Sequence, residues 1–167
     1  MNILQGRVWR FGDHVNTDII FPGKYTYTIS DPAEMARHAM EDADPEFARN
    51  VRPGDLIVAG ENFGCGSSRE QAVVCLQAVG IAAIIAKSFA RIYYRNAINQ
   101  GLPIVQCSEA VGAIRTGDTV AINLSAGRLE HAGKSYPFSP LPLEVAEILE
   151  AGGLVEYVRR RRRKTAS

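Results

Sequence analysis

The stretch Gly60-Glu61-Asn62-Phe63-Gly64-Cys65-Gly66-Ser67-Ser68-Arg69-Glu70-Gln71 holds the densest group of chemically capable residues in the chain. Its three glycines allow positive φ and close approach of a ligand to the backbone. A helix is expected to start at the serine pair, through a capping box read either as Ser68 with Gln71 or as Ser67 with Glu70. The first turn of such a helix offers free N–H groups and the positive end of the dipole to an anion. Arg69 adds a planar, permanently charged fork suited to a carboxylate or a phosphate. Two phosphate motifs fail on spacing. A P-loop needs lysine where Ser67 follows Gly66, and a dinucleotide fingerprint needs a third glycine where Arg69 stands. The plain alternative is a tight strand-to-helix turn with an ordinary cap.

These residues need a scaffold, and the flanking patterns supply one. Residues 3–11 read as a strand, followed by an irregular stretch through Asn16-Thr17-Asp18 and Pro22-Gly23. Residues 32–49 read as helix with a break near Asp44-Pro45. After the Pro53-Gly54 turn, residues 55–60 form a short apolar strand that delivers the glycine turn. Then come a helix at about 69–79, a strand at 81–86, a helix at 89–100 closed by Gly101, and a strand at 102–106. A short helix at 108–115, an alternating strand at 118–124, a hairpin punctuated by Gly127 and Gly133, and a helix from Pro142 to Gly152-Gly153 complete the order. The expectation is one α/β domain with a partly parallel core and an antiparallel C-terminal portion.

Composition narrows the function classes. Apolar residues make up 46% and charged residues 22% of the 167, the balance of a globular domain. The longest apolar run, residues 78–86, has nine members, against the roughly 18 that span a bilayer. The first residues show no basic start followed by an apolar core, so no secretory leader is expected. Six of the 19 basic residues lie in the run 159–164, and removing it leaves 13 against 18 acidic residues. That acidic body is a poor footprint for nucleic acid. The run itself reads as a solvated, disordered tail over 159–167, beyond a domain at 1–158. Cys65, Cys75 and Cys107 have no C-x-x-C spacing, which argues against a disulfide framework or a metal site in this chain and points to a reducing, cytoplasmic compartment. His14, His38 and His131 read as structural, and Arg91 and Arg95 as cations solvating a helix face.

Three ordered blocks carry a resemblance. The glycine turn with Ser67-Ser68-Arg69 resembles the signature of the swivelling domain of the aconitase superfamily. Asn16-Thr17-Asp18-Ile19-Ile20 with Pro22 resembles that superfamily's N-T-D motif. Lys87-Ser88-Phe89-Ala90-Arg91-Ile92, with Asn96, Asn99 and Gly101-Leu102-Pro103, resembles its third block. In length and free-standing form the chain resembles the small-subunit family of 3-isopropylmalate dehydratases. The resemblance implies an α/β fold of the aconitase-type swivelling β/β/α kind, a mixed sheet flanked by helices. It also implies a separate large subunit that carries a [4Fe–4S] cluster, with no metal bound by this chain. Ser67 would be the base that removes a carbon-bound proton. Arg69 would clamp a carboxylate of a small dicarboxylate substrate beside Ser68 and Gly66, and Asp18 would orient polar groups across the subunit boundary.

The segment Tyr25-Thr26-Tyr27-Thr28-Ile29 is expected to reach the variable group of the substrate. There is no arginine between Arg10 and Arg37, whereas family members acting on tricarboxylates place one there. An apolar, aromatic lining suits an alkyl group and would strand an extra carboxylate. The reading is therefore isomerisation of 2-isopropylmalate to 3-isopropylmalate. Its rivals are the same chemistry on homoaconitate, a methyl-substituted malate or citraconate, and a non-catalytic module binding an anion or RNA.

Overall fold

In the computed structural model, which describes residues 3–166, the strands build one mixed sheet. They are β1 (Ile3–Arg10), β2 (Leu56–Ala59), β3 (Ala83–Ala86), β4 (Ile104–Gln106), β5 (Thr119–Asn123), β6 (Arg128–His131) and β7 (Lys134–Pro137). Their order in the sheet is β4-β3-β2-β1-β5-β6-β7. β1 to β4 run parallel, whereas β1 pairs antiparallel with β5 from Ile3 opposite Asn123 to Arg7 opposite Thr119. β2 and β3 are apolar and buried throughout, as parallel strands covered on both faces must be.

Alternation along these strands divides the core between the two faces. Ile57, Ala59, Ile84 and Ala86 pack with α4 (Gln71–Val79), α5 (Arg91–Gln100) and α7 (Leu143–Ala151). Leu56, Val58, Ala83 and Ile85 face α6 (Ser108–Val111) together with Val120, Ile122, Leu129 and Tyr136 from the antiparallel strands, which curl over that side. The expected α/β fold of mixed sheet and flanking helices is thus what forms.

The region expected as one broken helix is shorter and more irregular. Asp31 caps α2 (Pro32–Arg37), accepting from the Ala33 N–H, and a second short helix, α3 (Phe47–Asn50), follows a series of turns. Between them Met40 has φ +57° and is fully buried, and its N–H donates to the Ile20 carbonyl at 2.9 Å. That bond to α1 (Thr17–Ile20) competes with helix continuation, and burial of Met40 favours the turn.

The basic run also differs from expectation. Residues 159–166 continue α8 (Leu154–Ala166). Glu156 pairs with Arg159 and Arg160 at 3.8 and 3.7 Å, and Arg161 donates to the Tyr157 hydroxyl at 2.7 Å while lying over its ring. Arginine and lysine are good helix formers, and cations in the last turn meet the negative end of the dipole.

Where β1 and β2 run side by side, Asp55 is a buried acid that ties the turn before β2 to β1. Its carboxylate accepts from the Arg52 N–H and the Trp9 indole, each at 2.9 Å, and from Arg7 at 3.3 Å. Burial alone would raise its pKa, but these donors outweigh it and hold the carboxyl below its ordinary value. A depressed folded-state pKa adds stability above the unfolded value of about 3.9, lost as pH falls through the folded value. Asp55→Asn is therefore expected to lower stability by about 1–3 kcal/mol at neutral pH, with a shallower fall in Tm between about pH 5 and 3 than in the parent protein. Thermal melts across that range check this; parallel pH profiles would refute it.

Candidate active site

Parallel strands bring their C-terminal ends to one edge of a sheet, where ligand sites of α/β folds form. Here the segments leaving β1, β2 and β3 at that edge are the three sequence blocks. They continue side by side past the strands. The Gly64 N–H donates to the Val15 carbonyl at 2.7 Å, and the Thr17 N–H to the Cys65 carbonyl at 2.9 Å. On the other side the Phe63 N–H donates to the Ser88 carbonyl at 3.1 Å and the Ala90 N–H to the Phe63 carbonyl at 2.9 Å. Gly64 has φ +83°, and a Cβ there would lie 2.1 Å from Cγ of Tyr93. Tyr93 cannot yield, since it is buried and its hydroxyl donates to the Ala72 carbonyl at 2.9 Å. Only glycine fits.

Between these segments and the start of α5 lies a cleft of about 260 Å³, lined by Gly66, Ser67, Ser68 and Arg69 together with Thr17, Arg91 and Asn96. Ser67 is exposed, and its Oγ makes no hydrogen bond within the described residues. Its carbonyl is held instead, accepting from Thr17 Oγ1 at 2.8 Å. Neither register of the expected capping box forms: α4 begins at Gln71, and its N-cap, Glu70, has no side-chain cap bond. Gly66, at φ +95°, turns the chain so that both serines stay in the loop before the helix. Ser68 Oγ accepts from Asn96 Nδ2 at 3.4 Å. The helix whose first turn faces the cleft is α5, through Ala90, Arg91, Ile92 and Tyr93. Its first N–H groups, which lack intrahelical partners, lend the site a positive field.

Arg69 holds the N-T-D segment. Its Nη2 donates to the carbonyls of Thr17 and Phe21 at 2.7 and 2.6 Å and to Asp18 Oδ1 at 3.1 Å. Its Nη1 donates to Thr26 Oγ1 at 2.9 Å. Nε is buried without a partner. The expected carboxylate clamp therefore has both terminal nitrogens engaged with this segment. Asp18 sits on the rim, largely exposed, tied to the cleft through that ion pair.

The segment at 25–29 does not line the cleft. The N–H groups of Thr28 and Ile29 both donate to the Tyr25 carbonyl, so the chain coils and residues four apart share a side. Tyr25 and Ile29 turn to the core, Tyr25 stacking on His38 with ring centroids 4.1 Å apart, while Tyr27 is 98% exposed. The expected continuous aromatic lining is divided by this coil, and Tyr27 and Thr28 are its outward members. Thr17, Arg91 and Asn96 are cleft residues that the residue-level reading missed. Membership of Arg91 and Asn96 in the third block was the available signal.

The family of aconitase C-terminal domains matches residues 14–109, which contain all three blocks. The 3-isopropylmalate dehydratase small subunit of Nautilia profundicola is 53% identical over 161 residues, covering 95% of this chain and 96% of that protein. The chain belongs to the 3-isopropylmalate dehydratase small-subunit family. Small subunit 1 of Methanopyrus kandleri is 52% identical over 161 residues, covering 95% of this chain and 94% of that one. The crystal structure of 3-isopropylmalate dehydratase from Methanocaldococcus jannaschii matches with a TM-score of 0.93 at 46% identity, over 98% of both chains. The aconitase-type fold expected from the motifs is therefore the fold of this small-subunit family. Within it, the loop-borne Ser67 and the arginine-anchored Asp18 lie at the same sheet edge.

The cysteines of this small-subunit family member do not fit an iron–sulfur cluster. Cys75 and Cys107 are buried on opposite faces of the sheet, and Cys65 is half-buried in the glycine turn. Burial pushes the Cys75 thiol far up, away from thiolate formation. Among the described residues no group of three or more His, Cys, Asp or Glu is placed to hold a metal ion. No helix among them is long and apolar enough to cross a membrane. His38 pairs with Glu41, and His131 with Asp118; neither reaches the cleft.

Proposed function

We propose that this chain is the small subunit of a two-subunit hydro-lyase that interconverts 2-isopropylmalate and 3-isopropylmalate by dehydration and rehydration, as in leucine biosynthesis. The observation that carries the reading is the unbonded Ser67 hydroxyl, held through its own carbonyl in a cleft bordered by Arg69, Arg91 and the first turn of α5. Ser67 Oγ takes the proton from the substrate carbon; that C–H electron pair becomes the second bond of the alkene as the neighbouring C–O bond breaks and its pair leaves with the hydroxyl as hydroxide. The proton on Ser67 and the released hydroxide together make up the one water lost. Adding water back with the positions exchanged gives the isomer. A serine needs a stabilised alkoxide for this, and the backbone N–H groups and cations of the cleft supply the right sign of field, which strengthens once a partner subunit covers them. Asp18 and Arg69 keep the N-T-D segment in place against the Ser67 loop.

The [4Fe–4S] cluster implied by the family resemblance would sit on a large subunit that closes over the cleft, where it would serve as a Lewis acid for the departing hydroxyl. The absence of arginine between Arg10 and Arg37, where the family resemblance places one in members acting on tricarboxylates, supports an alkyl-substituted dicarboxylate. Free cysteines fit a reducing, cytoplasmic setting.

The test is reconstitution. The chain alone is expected to be colourless and inactive, and anaerobic mixing with a cluster-bearing large subunit should give interconversion of the isopropylmalates, followed by NMR. Isomerisation by the isolated chain, or none by the assembled pair, would overturn the reading.

A further inference from the structure

We infer that this chain pairs with a second copy of itself, the outer face of each α8 seated in an apolar groove of the other. Seven large apolar side chains are exposed among the described residues, and five of them, Ile3, Leu143, Leu154, Val155 and Val158, belong to β1, α7 and α8. Of the other two, Ile92 lines the cleft and Tyr27 follows Thr26, the residue held by Arg69. A folded domain seldom gathers exposed apolar side chains in this way unless a partner covers them. The groove has a volume of about 250 Å³ and is lined by Ile3, Leu4, Leu124, Leu141 and Leu149, with Glu150 of α7 as its charged member. Ile3 and Leu4 open β1, and β5 runs antiparallel to it, ending at Asn123 opposite Ile3. The groove therefore lies at the N-terminal edge of the parallel strands, opposite the edge that carries the cleft.

The groove has a matching ridge. Arg160, Arg161 and Lys164 of α8 face Glu147 and Glu150 of α7. Val155, Val158, Arg159 and Arg162, spaced three and four apart, share the other side of the helix. From Val158 to Ala166 every residue is exposed, and a helix this short is marginal in water without a surface to cover it. Its outer face presents two valines followed by two arginines; the groove presents apolar walls ending at an acid. The two complement each other in both apolar character and charge. Glu150 lines the groove and also the junction with α8, so ridge and groove flank α7 on one continuous surface. That arrangement suits a two-fold interface, in which each copy gives the ridge and receives the other's. The glutamates of α7, Glu144, Glu147 and Glu150, would repel a polyphosphate here. A large subunit closing over the cleft would meet the opposite edge and leave this face open, so the pairing is independent of the chemistry at the cleft.

Sedimentation equilibrium of the isolated full chain tests this. Dimers are expected at about 100 μM protein. Val155→Asp places a carboxylate against the apolar walls and should raise the dimer dissociation constant about 10- to 100-fold, with an unchanged circular dichroism spectrum and unchanged affinity for the large subunit. Arg162→Glu and Glu150→Arg should each weaken the dimer, and the double variant should restore it. A chain that stays monomeric at that concentration, or a dimer untouched by Val155→Asp and by both single charge reversals, would overturn the inference. Loss of large-subunit affinity in Val155→Asp would overturn it in favour of a contact with that subunit. A monomeric chain that binds poly(U) RNA, and loses that binding when residues 159–167 are deleted, would overturn it in favour of nucleic acid.

Discussion

Replacing Ser67 by alanine is expected to cut kcat of the assembled enzyme by about 10³-fold, the size of a positioned general base, while KM stays within about twofold. The asymmetry follows from the geometry. Ser67 Oγ has no internal partner, so its removal strands no protein group, and the loop is anchored through the Ser67 carbonyl and Thr17 Oγ1 rather than through the side chain. Stability should therefore change little, and the loss should appear in turnover. Ser68→Ala is the comparison. Its hydroxyl faces Asn96 at 3.4 Å, so the expected effect is milder and falls on KM. Steady-state kinetics of the two variants against either isopropylmalate isomer decide the matter. Near-normal kcat in Ser67→Ala would assign the proton transfer elsewhere.

Replacing Arg69 should be the most damaging change to the site's architecture. Its two terminal nitrogens bind two backbone carbonyls, a carboxylate and a hydroxyl, all on residues 17–26. The side chain is only 11% exposed, so water replaces these partners poorly, and each abandoned buried carbonyl costs about 1–3 kcal/mol. Arg69→Met is expected to lower stability by about 3 kcal/mol and to abolish measurable turnover. Arg69→Lys retains one cation but cannot span Thr26 on one side and Thr17, Asp18 and Phe21 on the other. It should fold, lose most of kcat/KM, and speed amide hydrogen exchange across residues 16–26. Unchanged exchange in that segment, with activity lost, would place Arg69 directly on the substrate instead of on the loop.

Much of this protein was legible in local sequence. The apolar runs at 55–60 and 81–86, each leading to a glycine- or alanine-bearing turn and then a helix, mark parallel strands buried on both faces, and β2 and β3 are such strands. Gly80, Gly101 and Gly152 end their helices in left-handed conformation, the conformation glycine adopts without penalty. The cluster of Ser67, Arg69 and Asp18 could be named because their identity and order suffice for the family motifs.

Other features depended on partners distant in the chain. Ser67 and Ser68 have the composition of a helix cap, yet bonds from Val15 and Thr17 to the glycine turn hold both in the loop, and the helix dipole at the cleft is that of α5. The aromatic segment at 25–29 alternates in sequence, but a coil closed on the Tyr25 carbonyl sends Tyr25 and Ile29 inward and Tyr27 outward. Arg69 was readable as a cation and Arg91 as a surface charge; only the fold surrounds the first with the carbonyls of Thr17 and Phe21 and sets both on one acid-free cleft. The sequence by itself determined which elements form and which motif residues are present, because propensity, periodicity and turn chemistry act within a few residues. Tertiary structure alone decided which hydroxyl stays unbonded and which guanidinium anchors the N-T-D segment, because hydrogen-bond partners are assigned by whatever the fold brings alongside.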